Sequence, residues 1–256
     1  DEADALSHNL AAAAGSLDIS NNSWGPSDTG FTLEGPGPLA QAALTYGTSN
    51  GRNGLGIIYV WAGGNGYDLD HAGADGYAGS RYTISVAATT HTGKRAAYSE
   101  AGSAHLVNAP SNGDGASITT TDRLGGVGFS TGDCHRAFGG TSAAAPLVSG
   151  VIALMLEANP SLTWRDVQHI LVETATQNDP SHSAWRTNAA NHTFNPYYGF
   201  GTIDAGAAVA LAETWQSVPA EHTHQTSPQP VALPIPDNAP SNPAQHALSI
   251  NTIFDQ

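Results

Sequence analysis

A single hydroxyl side chain lies where a run of small residues leads into an apolar segment. Residues 138–150 read FGGTSAAAPLVSG, with Ser142 directly after Thr141. The apolar segment predicts a helix, so Ser142 would lie at a helix N-terminus, where N–H groups lack partners and the helix dipole is positive. Such a position stabilises an oxyanion, which suits a nucleophilic serine in acyl transfer. The alternative is an ordinary helix N-cap.

The elements that would position Ser142 follow from the alternation of apolar patterns along the chain. Predicted strands lie within residues 17–25, 56–64 and 81–89. Predicted helices cover residues 1–14, 39–47, 141–160, 162–175 (with Thr163 as N-cap) and 204–215. Continuous apolar runs such as GIIYVWAGG are typical of strands buried on both faces. Strands alternating with helices predict an α/β fold with a mostly parallel sheet covered on both faces.

The charge of the chain limits its partners. Its 256 residues carry 22 Asp and Glu against 8 Lys and Arg, a formal net charge of −14, so nucleic acid would be repelled. The excess of carboxylates favours calcium or a basic polypeptide, although a plain acidic surface also explains it.

No run of about 18 apolar residues occurs, so we expect no membrane span. The first residues lack the features of a signal peptide, and we expect any targeting segment to lie outside this sequence.

The composition changes after residue 216, where Pro, Ser and Asn replace the periodic apolar pattern. This change predicts a linker over 217–241, and 242–256 could begin a further module. Cys134 is the sole cysteine of the sequence, so it cannot form an internal disulfide. It is therefore a buried thiol, a free thiol or half of a bridge to a partner elsewhere.

The segment GGTSAAAPLVSGVIALMLEANPSLTWRDVQ resembles the nucleophile region of the subtilisin-like serine proteases, and its second half resembles the kexin and furin branch. Further blocks agree in order: SWGP (23–26), IIYVWAGGNG (57–66), DGY (75–77), YSE (98–100) and YGFGTIDAG (198–206). The resemblance implies a subtilisin-like α/β fold, a partial domain in which residues 1–216 would form the C-terminal portion of the catalytic domain. The module after the linker would then be a β-rich P domain.

The resemblance implies catalytic roles for two residues. Ser142 would attack the scissile carbonyl, and its own N–H together with the side-chain amide of Asn65 would hold the oxyanion. An amide NH₂ donates a hydrogen bond without adding charge to the ground state, which suits this task. The alternative interpretation of Asn65 is a turn residue beside Gly66.

The resemblance also implies an Asp and a His upstream of the SWGP block, and neither of their motifs occurs here. Asp4 and His8 lie at i and i+4 of one predicted helix, which suits a surface pair, because a triad draws its members from separate elements. His135 lies on the wrong side of the family order. We therefore expect an upstream segment, on the same or a second chain, to supply Asp and His. Without them this chain would be nearly inactive.

Two disulfides of the furin-like members are affected. Cys134 lies where those proteases carry a bridged cysteine, and the partner of that cysteine is absent here. A second bridge lacks both cysteines, one in the loop 70–75 and one after Glu100. The resemblance therefore implies that the second bridge is lost as a pair.

Acidic residues cluster in the blocks that the resemblance assigns to the substrate pocket. Asp28 and Asp75 would receive the Lys or Arg side chain that precedes the cleaved bond, because carboxylates form charge-assisted hydrogen bonds with a guanidinium. Asp28, Asp70 and Glu100 would bind calcium beneath that pocket, since several hard oxygen ligands require a divalent cation.

Two further acids and one short strand complete the implied substrate site. Glu34 and, with looser spacing, Glu2 would contact basic residues further from the cleaved bond. Ser23, Trp24, Gly25 and Pro26 would pair with the substrate backbone as an added strand.

We therefore predict a calcium-dependent serine endopeptidase of the kexin and furin type that cleaves after basic, paired residues. Such proteases act in the secretory pathway or outside the cell, which implies a secreted or extracytoplasmic location. One alternative is a broad-specificity subtilisin, which would not need the acids at 28, 34 and 75. The other is a non-catalytic fragment that binds calcium or basic peptides.

Overall fold

The structure is a computed structural model that describes residues 15–221. The predicted helix at 1–14, and with it Glu2, lies outside the described residues, as do the predicted module at 242–256 and most of the linker. Two compact units divide the chain, Asp1–Val218 and Pro219–Gln256. All helices and strands named below belong to the first unit.

A parallel sheet of four strands forms the centre of this unit, in the order β1-β2-β3-β4. The strands are β1 (Ile19–Asn22), β2 (Ile58–Ala62), β3 (Thr83–Thr89) and β4 (His105–Pro110). The register pairs Ile19 with Ile58, and it shifts between Ser85 and Val86 where β3 meets β4. Every residue of β2 and β3 is buried, as their apolar and β-branched composition predicts. The mostly parallel sheet is confirmed, and β4 is an additional strand.

Helices cover both faces of the sheet, as predicted: α1 (Pro38–Asn50), α2 (Thr141–Ala158), α3 (Trp164–Thr174) and α4 (Ala205–Thr214). Leu44 of α1 packs with Ile57 and Tyr59 on one face. Val60 and Val86 point to the other face, where they share the main core with α2, α3 and α4. The alternation of neighbouring strand residues between two cores follows from the period of two in a β-strand.

The helix that carries Ser142, α2, is long and apolar enough by length and composition to cross a membrane. Ala144, Val148, Ile152 and Met155 on this helix are fully buried in the main core. The position of this helix in the main core of the α/β unit therefore accounts for its apolar composition.

Two antiparallel hairpins, which the sequence patterns do not predict, lie outside the parallel sheet. One pairs β5 (Ile118–Thr121) with β6 (Cys134–Phe138), and the other pairs β7 (Arg186–Thr187) with β8 (Thr193–Phe194). Short 3-10 turns occur at Arg52–Gly54 and Gly125–Val127. Cys134 begins β6 as an exposed free thiol. The alternative of a buried thiol is therefore wrong, because β6 belongs to an exposed hairpin and not to the core.

Arg52 joins the end of α1 to the segment between α2 and α3. Its guanidinium is buried and donates to the carbonyl oxygens of Leu162 (2.8 Å) and Pro160 (3.2 Å). Nε lies 3.4 Å from the Asp18 carboxylate. A buried cation with these acceptors connects two distant loops at the amino ends of the strands, opposite the edge at which Ser142 lies.

Asp166 connects the start of α3 to the segment after α4. One carboxylate oxygen accepts hydrogen bonds from the Thr163 N–H and hydroxyl, which completes a capping box with Thr163 as N-cap. The other accepts from Trp215 Nε1 (2.9 Å) and the Val218 N–H (2.8 Å). Burial by itself raises the pKa of Asp166, but these hydrogen bonds outweigh it and hold the pKa below its ordinary value.

Replacing Asp166 by Asn should lower the free energy of unfolding by about 2 kcal/mol or more at pH 7, because an amide cannot accept all four hydrogen bonds. A group whose pKa is lower in the folded state contributes stability above its unfolded pKa, and that contribution is lost as the pH falls. The difference between wild type and Asp166→Asn should therefore shrink below about pH 4. Urea unfolding at pH 7 and pH 3.5 measures both values.

The matched control is Glu157→Gln, a charge-neutralising change at an exposed position of α2. Its free energy of unfolding should stay within about 0.5 kcal/mol of wild type. An Asp166→Asn variant as stable as this control at pH 7 would contradict the assigned role of the carboxylate.

Candidate active site

A cavity of about 200 Å³ opens at the carboxyl edge of the parallel sheet, the edge at which open α/β sheets bind ligands. Its walls come from the segments after β1 and β2, the loop before β4 and the first turn of α2. Ten of the predicted site residues line it: Trp24, Gly25, Pro26, Asp28, Glu34, Asn65, Asp70, Asp75, Glu100 and Ser142. The fold therefore brings these residues into one site, from positions far apart in the chain.

Ser142 lies in the first turn of α2, after a turn that only glycine adopts readily. Gly140 has φ +78° and offers no side-chain cap, and the Ser142 N–H, in the first turn of α2, has no intrahelical partner. Residues after β4 hold this turn, since the Ser111 hydroxyl donates to the Gly140 carbonyl (2.7 Å) and the Gly140 N–H donates to Asn112 Oδ1 (2.8 Å). The helix N-terminus is thus fixed at the sheet edge.

Ser23 connects the segment after β1 to the same turn. Its hydroxyl donates to the Ser142 carbonyl (2.8 Å), and the Ser142 hydroxyl donates to the Ser23 carbonyl (3.3 Å). The second contact is long, so the Ser142 Oγ is held only weakly in this state. Ser23 therefore touches Ser142 although it does not line the cavity.

The side chain of Asn65 has a defined orientation. Its Oδ1 accepts hydrogen bonds from the Thr141 N–H (2.8 Å) and the Thr141 hydroxyl (3.1 Å), which requires the oxygen to face Thr141. No residue within 15–221 accepts from Nδ2, so the two amide N–H groups remain available beside Ser142. Thr141 is a positioning residue that the sequence analysis missed; its place next to Ser142 in the GGTS motif is the signal.

Asp28, Asp70 and Glu100 come together in the lining of the cavity. One carboxylate oxygen from each lies within 4.8 Å of the others. Two oxygens that each bind one calcium ion at about 2.4 Å lie at most about 4.8 Å apart. Hard carboxylate oxygens at this separation suit a calcium ion, so these three residues could hold one.

The backbone around this acidic cluster leaves no room for side chains. The Gly66 N–H donates to Glu100 Oε1 (2.9 Å), and the Asn65 N–H donates to Asp28 Oδ2 (3.3 Å). A Cβ on Gly64, whose φ is +98°, would lie 2.3 Å from the Glu100 carboxylate. A Cβ on Gly66 would lie 2.9 Å from Asp28. The GGNG motif therefore shapes the cluster directly.

Two acids of the site have raised pKa values. Burial, opposed by the Gly66 hydrogen bond and reinforced by the neighbouring carboxylates of Asp28 and Asp70, raises the pKa of Glu100 to about 7. Burial also raises the pKa of Asp75, against hydrogen bonds from the backbone of Tyr77 and Ala78. An uncompensated group of carboxylates is costly, and a bound cation would offset that cost.

Asp75 and Glu34 lie on two loops joined by a parallel β-bridge. Asp75 Oδ1 accepts from the Tyr77 N–H (2.7 Å), while a Cβ on Gly25 would lie 3.4 Å from Oδ2. Glu34 is exposed, and its N–H donates to the Ala74 carbonyl (3.1 Å). The acids at 34 and 75 thus form one wall of the cavity.

Trp24 belongs to a cluster of three aromatic rings. It meets Trp61 edge-on (centroids 4.8 Å apart) and Tyr77 edge-on (5.0 Å), while Trp61 and Tyr77 stack at 4.7 Å. Such pairs stabilise a defined ring orientation. The segment Ser23–Pro26 is therefore fixed against the sheet by Trp24, although that ring remains 41% exposed.

No histidine among residues 15–221 donates to or accepts from the Ser142 hydroxyl. His135 lies in β6 and contacts Ser130 Oγ through Nδ1 (3.0 Å). His105 is fully buried between Ser85 and the Glu100 carbonyl, and burial lowers its pKa to about 4. Neither ring is in a position to take the proton of Ser142.

The sequence model described as the Subtilase family matches residues 1–201. Proprotein convertase subtilisin/kexin type 6 of Rattus norvegicus is 46% identical over 209 residues, covering 80% of this chain and 22% of the relative. Neuroendocrine convertase 2 of Drosophila melanogaster is 42% identical over 228 residues, covering 85% of this chain and 34% of the relative. The chain thus spans between a fifth and about a third of the length of these relatives.

Solved structures share the fold. A serine protease of Aeromonas sobria, crystallised with a chaperone, has a TM-score of 0.70 at 24% identity over 79% of this chain and 44% of its own. Proteases from Pseudoalteromonas arctica have a TM-score of 0.61 at 27% identity over 82% of this chain and 58% of theirs. With an α/β sheet of subtilisin type and a family match over most of its length, this chain belongs to the subtilase family of serine endopeptidases.

Proposed function

We propose that this chain carries the nucleophile, the oxyanion site and the substrate pocket of a calcium-dependent endopeptidase that cleaves after basic residues, paired in its preferred substrates. The observation that supports this most strongly is the shared cavity, which is lined by Ser142, Asn65, Asp28 and Asp75. The similarity to proprotein convertases supports the same substrate class.

In this mechanism the Ser142 oxygen forms a bond to the scissile carbonyl carbon while its proton passes to a general base. The carbonyl electron pair becomes an oxyanion, which accepts hydrogen bonds from the Ser142 N–H and from Asn65 Nδ2. Collapse breaks the C–N bond, and the base returns the proton to the leaving amine. Water then attacks the acyl-serine in the same way and releases the acid product.

The general base and its orienting acid belong, in this proposal, to a segment upstream of the SWGP block, on the same or a second chain. Without a base a serine hydroxyl remains protonated and is a weak nucleophile. The weak contact between Ser142 Oγ and the Ser23 carbonyl (3.3 Å) leaves the hydroxyl free to turn toward an incoming base.

The substrate pocket is proposed from its charge. Asp75 and Asp28, which both line the cavity, would receive the guanidinium or ammonium group next to the cleaved bond. Glu34, and Glu2 beyond the described residues, would contact basic residues further along. The backbone of Ser23–Pro26 would pair with the substrate as a short added strand.

The calcium site would consist of Asp28, Asp70 and Glu100, whose oxygens meet the distance limits of one ion. Calcium bound there would neutralise the repulsion among the three carboxylates and fix the loops that carry them. These loops also carry Asn65, so the ion would support the oxyanion site indirectly.

We further propose a secreted or extracytoplasmic location, where calcium is plentiful, with 217–241 as a linker to a β-rich module that starts at 242–256.

A non-catalytic protein that only binds calcium or basic peptides is the second candidate, and the lack of a histidine beside Ser142 among the described residues favours it for the isolated chain. Serine-directed labelling distinguishes the two.

The 256-residue chain should react with a fluorophosphonate no faster than its Ser142→Ala variant, because no base activates the hydroxyl. A polypeptide extended upstream to include the missing segment should be labelled at Ser142, as intact mass and peptide mapping would reveal. An extended polypeptide that is folded but unlabelled would favour the non-catalytic candidate. Labelling of the short chain alone would show that a base already reaches Ser142.

Asp75→Asn in the active, extended protease should reduce the ratio of kcat/KM for peptides with Arg against Leu before the cleaved bond by at least about tenfold. Asp75 is the sharper test, since Asp28 also belongs to the proposed calcium site. Glu213→Gln, at an exposed position of α4, is the matched charge control and should leave the ratio unchanged. An unchanged ratio in Asp75→Asn would support a broad-specificity subtilisin instead.

Millimolar calcium should raise the urea midpoint of the wild-type chain, because binding to the folded state alone stabilises it. Gly64→Ala should abolish this shift and lower the calcium-free stability by about 1–3 kcal/mol, since alanine is strained at φ +98° and its Cβ meets Glu100. Gly150→Ala, in α2 with open space around its Cβ, should be stabilising or neutral and retain the calcium shift.

A further inference from the structure

Arg95, which follows β3, is the centre of a group of contacts that the proposed mechanism does not use. Its side chain is 14% exposed. Nε donates to the Ser99 carbonyl (2.7 Å), and Nη1 donates to Asp68 Oδ1 (2.9 Å). The guanidinium therefore has two hydrogen-bonded partners on two different loops.

Two tyrosine rings enclose the same guanidinium. Its Cζ lies 4.2 Å from the ring centroid of Tyr67 and 4.5 Å from that of Tyr197. The Arg95 N–H also donates to the Tyr198 hydroxyl (3.0 Å). A planar cation between two aromatic faces is held by cation–π attraction, which is strongest where water is excluded.

The loops joined in this way are those that carry the candidate site. Tyr67 and Asp68 lie between Asn65 and Asp70, and Ser99 directly precedes Glu100. We infer that Arg95 is a positioning residue, which clamps the 65–70 loop against the 98–100 segment and so sets the separation of the oxyanion donor and the calcium ligands. This inference rests on the proposed function where it concerns the oxyanion donor and calcium, whereas the contact between the two segments does not depend on it.

The shape of the guanidinium matters more than its charge. A lysine could keep the ion pair with Asp68, but it has no flat face for Tyr67 and Tyr197 and no donor equivalent to Nε. Arg95→Lys should therefore open the clamp while the net charge of the chain is unchanged.

Backbone amide exchange tests the clamp without calcium and without activity. The Gly66 N–H donates to Glu100 and the Tyr67 N–H to the Tyr98 carbonyl (2.9 Å), so both amides report contact between the two segments. Arg95→Lys should lower their protection by about tenfold or more. The amides of Val60 and Val86, in the buried strands, should change less, which separates local opening from global unfolding.

Arg52→Lys is the matched control, since Arg52 is also a buried arginine that joins two loops but lies away from the site. Its effect on Gly66 and Tyr67 should stay within about twofold once global stability is accounted for. Equal protection of these two amides in wild type and Arg95→Lys would overturn the inference.

Variants of the exposed partner keep the test decisive if Arg95→Lys does not fold. Tyr67 is 44% exposed, so Tyr67→Leu should fold, and it should lower the protection of the Gly66 amide. Tyr67→Phe retains the ring and should keep that protection at the wild-type level. In the double variant with Arg95→Lys, Tyr67→Leu should cause little further loss of Gly66 protection. If the losses caused by the two substitutions added fully, or if loss of the Tyr67 ring left protection unchanged, the clamp would be contradicted.

Calcium titration of the same proteins by calorimetry extends the test to the proposed site. Arg95→Lys should weaken calcium binding by about tenfold or more, as loss of a supporting contact does in other metal sites, whereas Arg52→Lys should bind as wild type does. A wild-type chain that binds no calcium would refute the metal site and leave the exchange result to decide on the clamp. Unchanged calcium affinity in Arg95→Lys, with wild-type binding intact, would overturn the positioning role.

Discussion

Parallel pairing of four strands is the constraint on which the site depends. Because the strands share one direction, their carboxyl ends meet at one edge of the sheet. The segments after β1, β2 and β4 converge there on the turn at Gly140. The nucleophile is not on a strand; it reaches the edge because α2 packs across the sheet with its N-terminus at that end. The contacts that hold this turn therefore combine groups from separate βα units.

Close backbone approach is the second requirement, and it explains the small residues of the site. Gly64 and Gly66 bring the chain into contact with the carboxylates, and Gly140 turns it into the helix without a side chain in the cavity. The same closeness gathers three acids around a few N–H donors. Burial is the main cause of the raised pKa of Glu100, the carboxylates of Asp28 and Asp70 add to it, and the Gly66 N–H does not offset the rise.

Much of the fold is predictable from the sequence, because local patterns carry it. The runs at 56–64 and 81–89 are buried strands, and Thr163 is the N-cap that its position suggests. The gathering of Asp28 with Glu100 follows from the resemblance and not from local pattern, since it depends on contacts across the sheet. The Arg95 contacts could not be predicted, because nothing in the local sequence GKRAAY indicates that the arginine contacts aromatic rings from other parts of the chain.

The long separations within the site have a consequence for folding kinetics. Ser23 and Ser142 are hydrogen-bonded across 119 residues, and Asn65 and Thr141 across 76. Contacts of such high sequence separation form slowly, because a large loop must close before they stabilise the chain. During synthesis, the first three strands emerge well before α2. We therefore expect the proposed nucleophile and oxyanion donor to meet at a late step of folding, so that partly folded chains lack an assembled site.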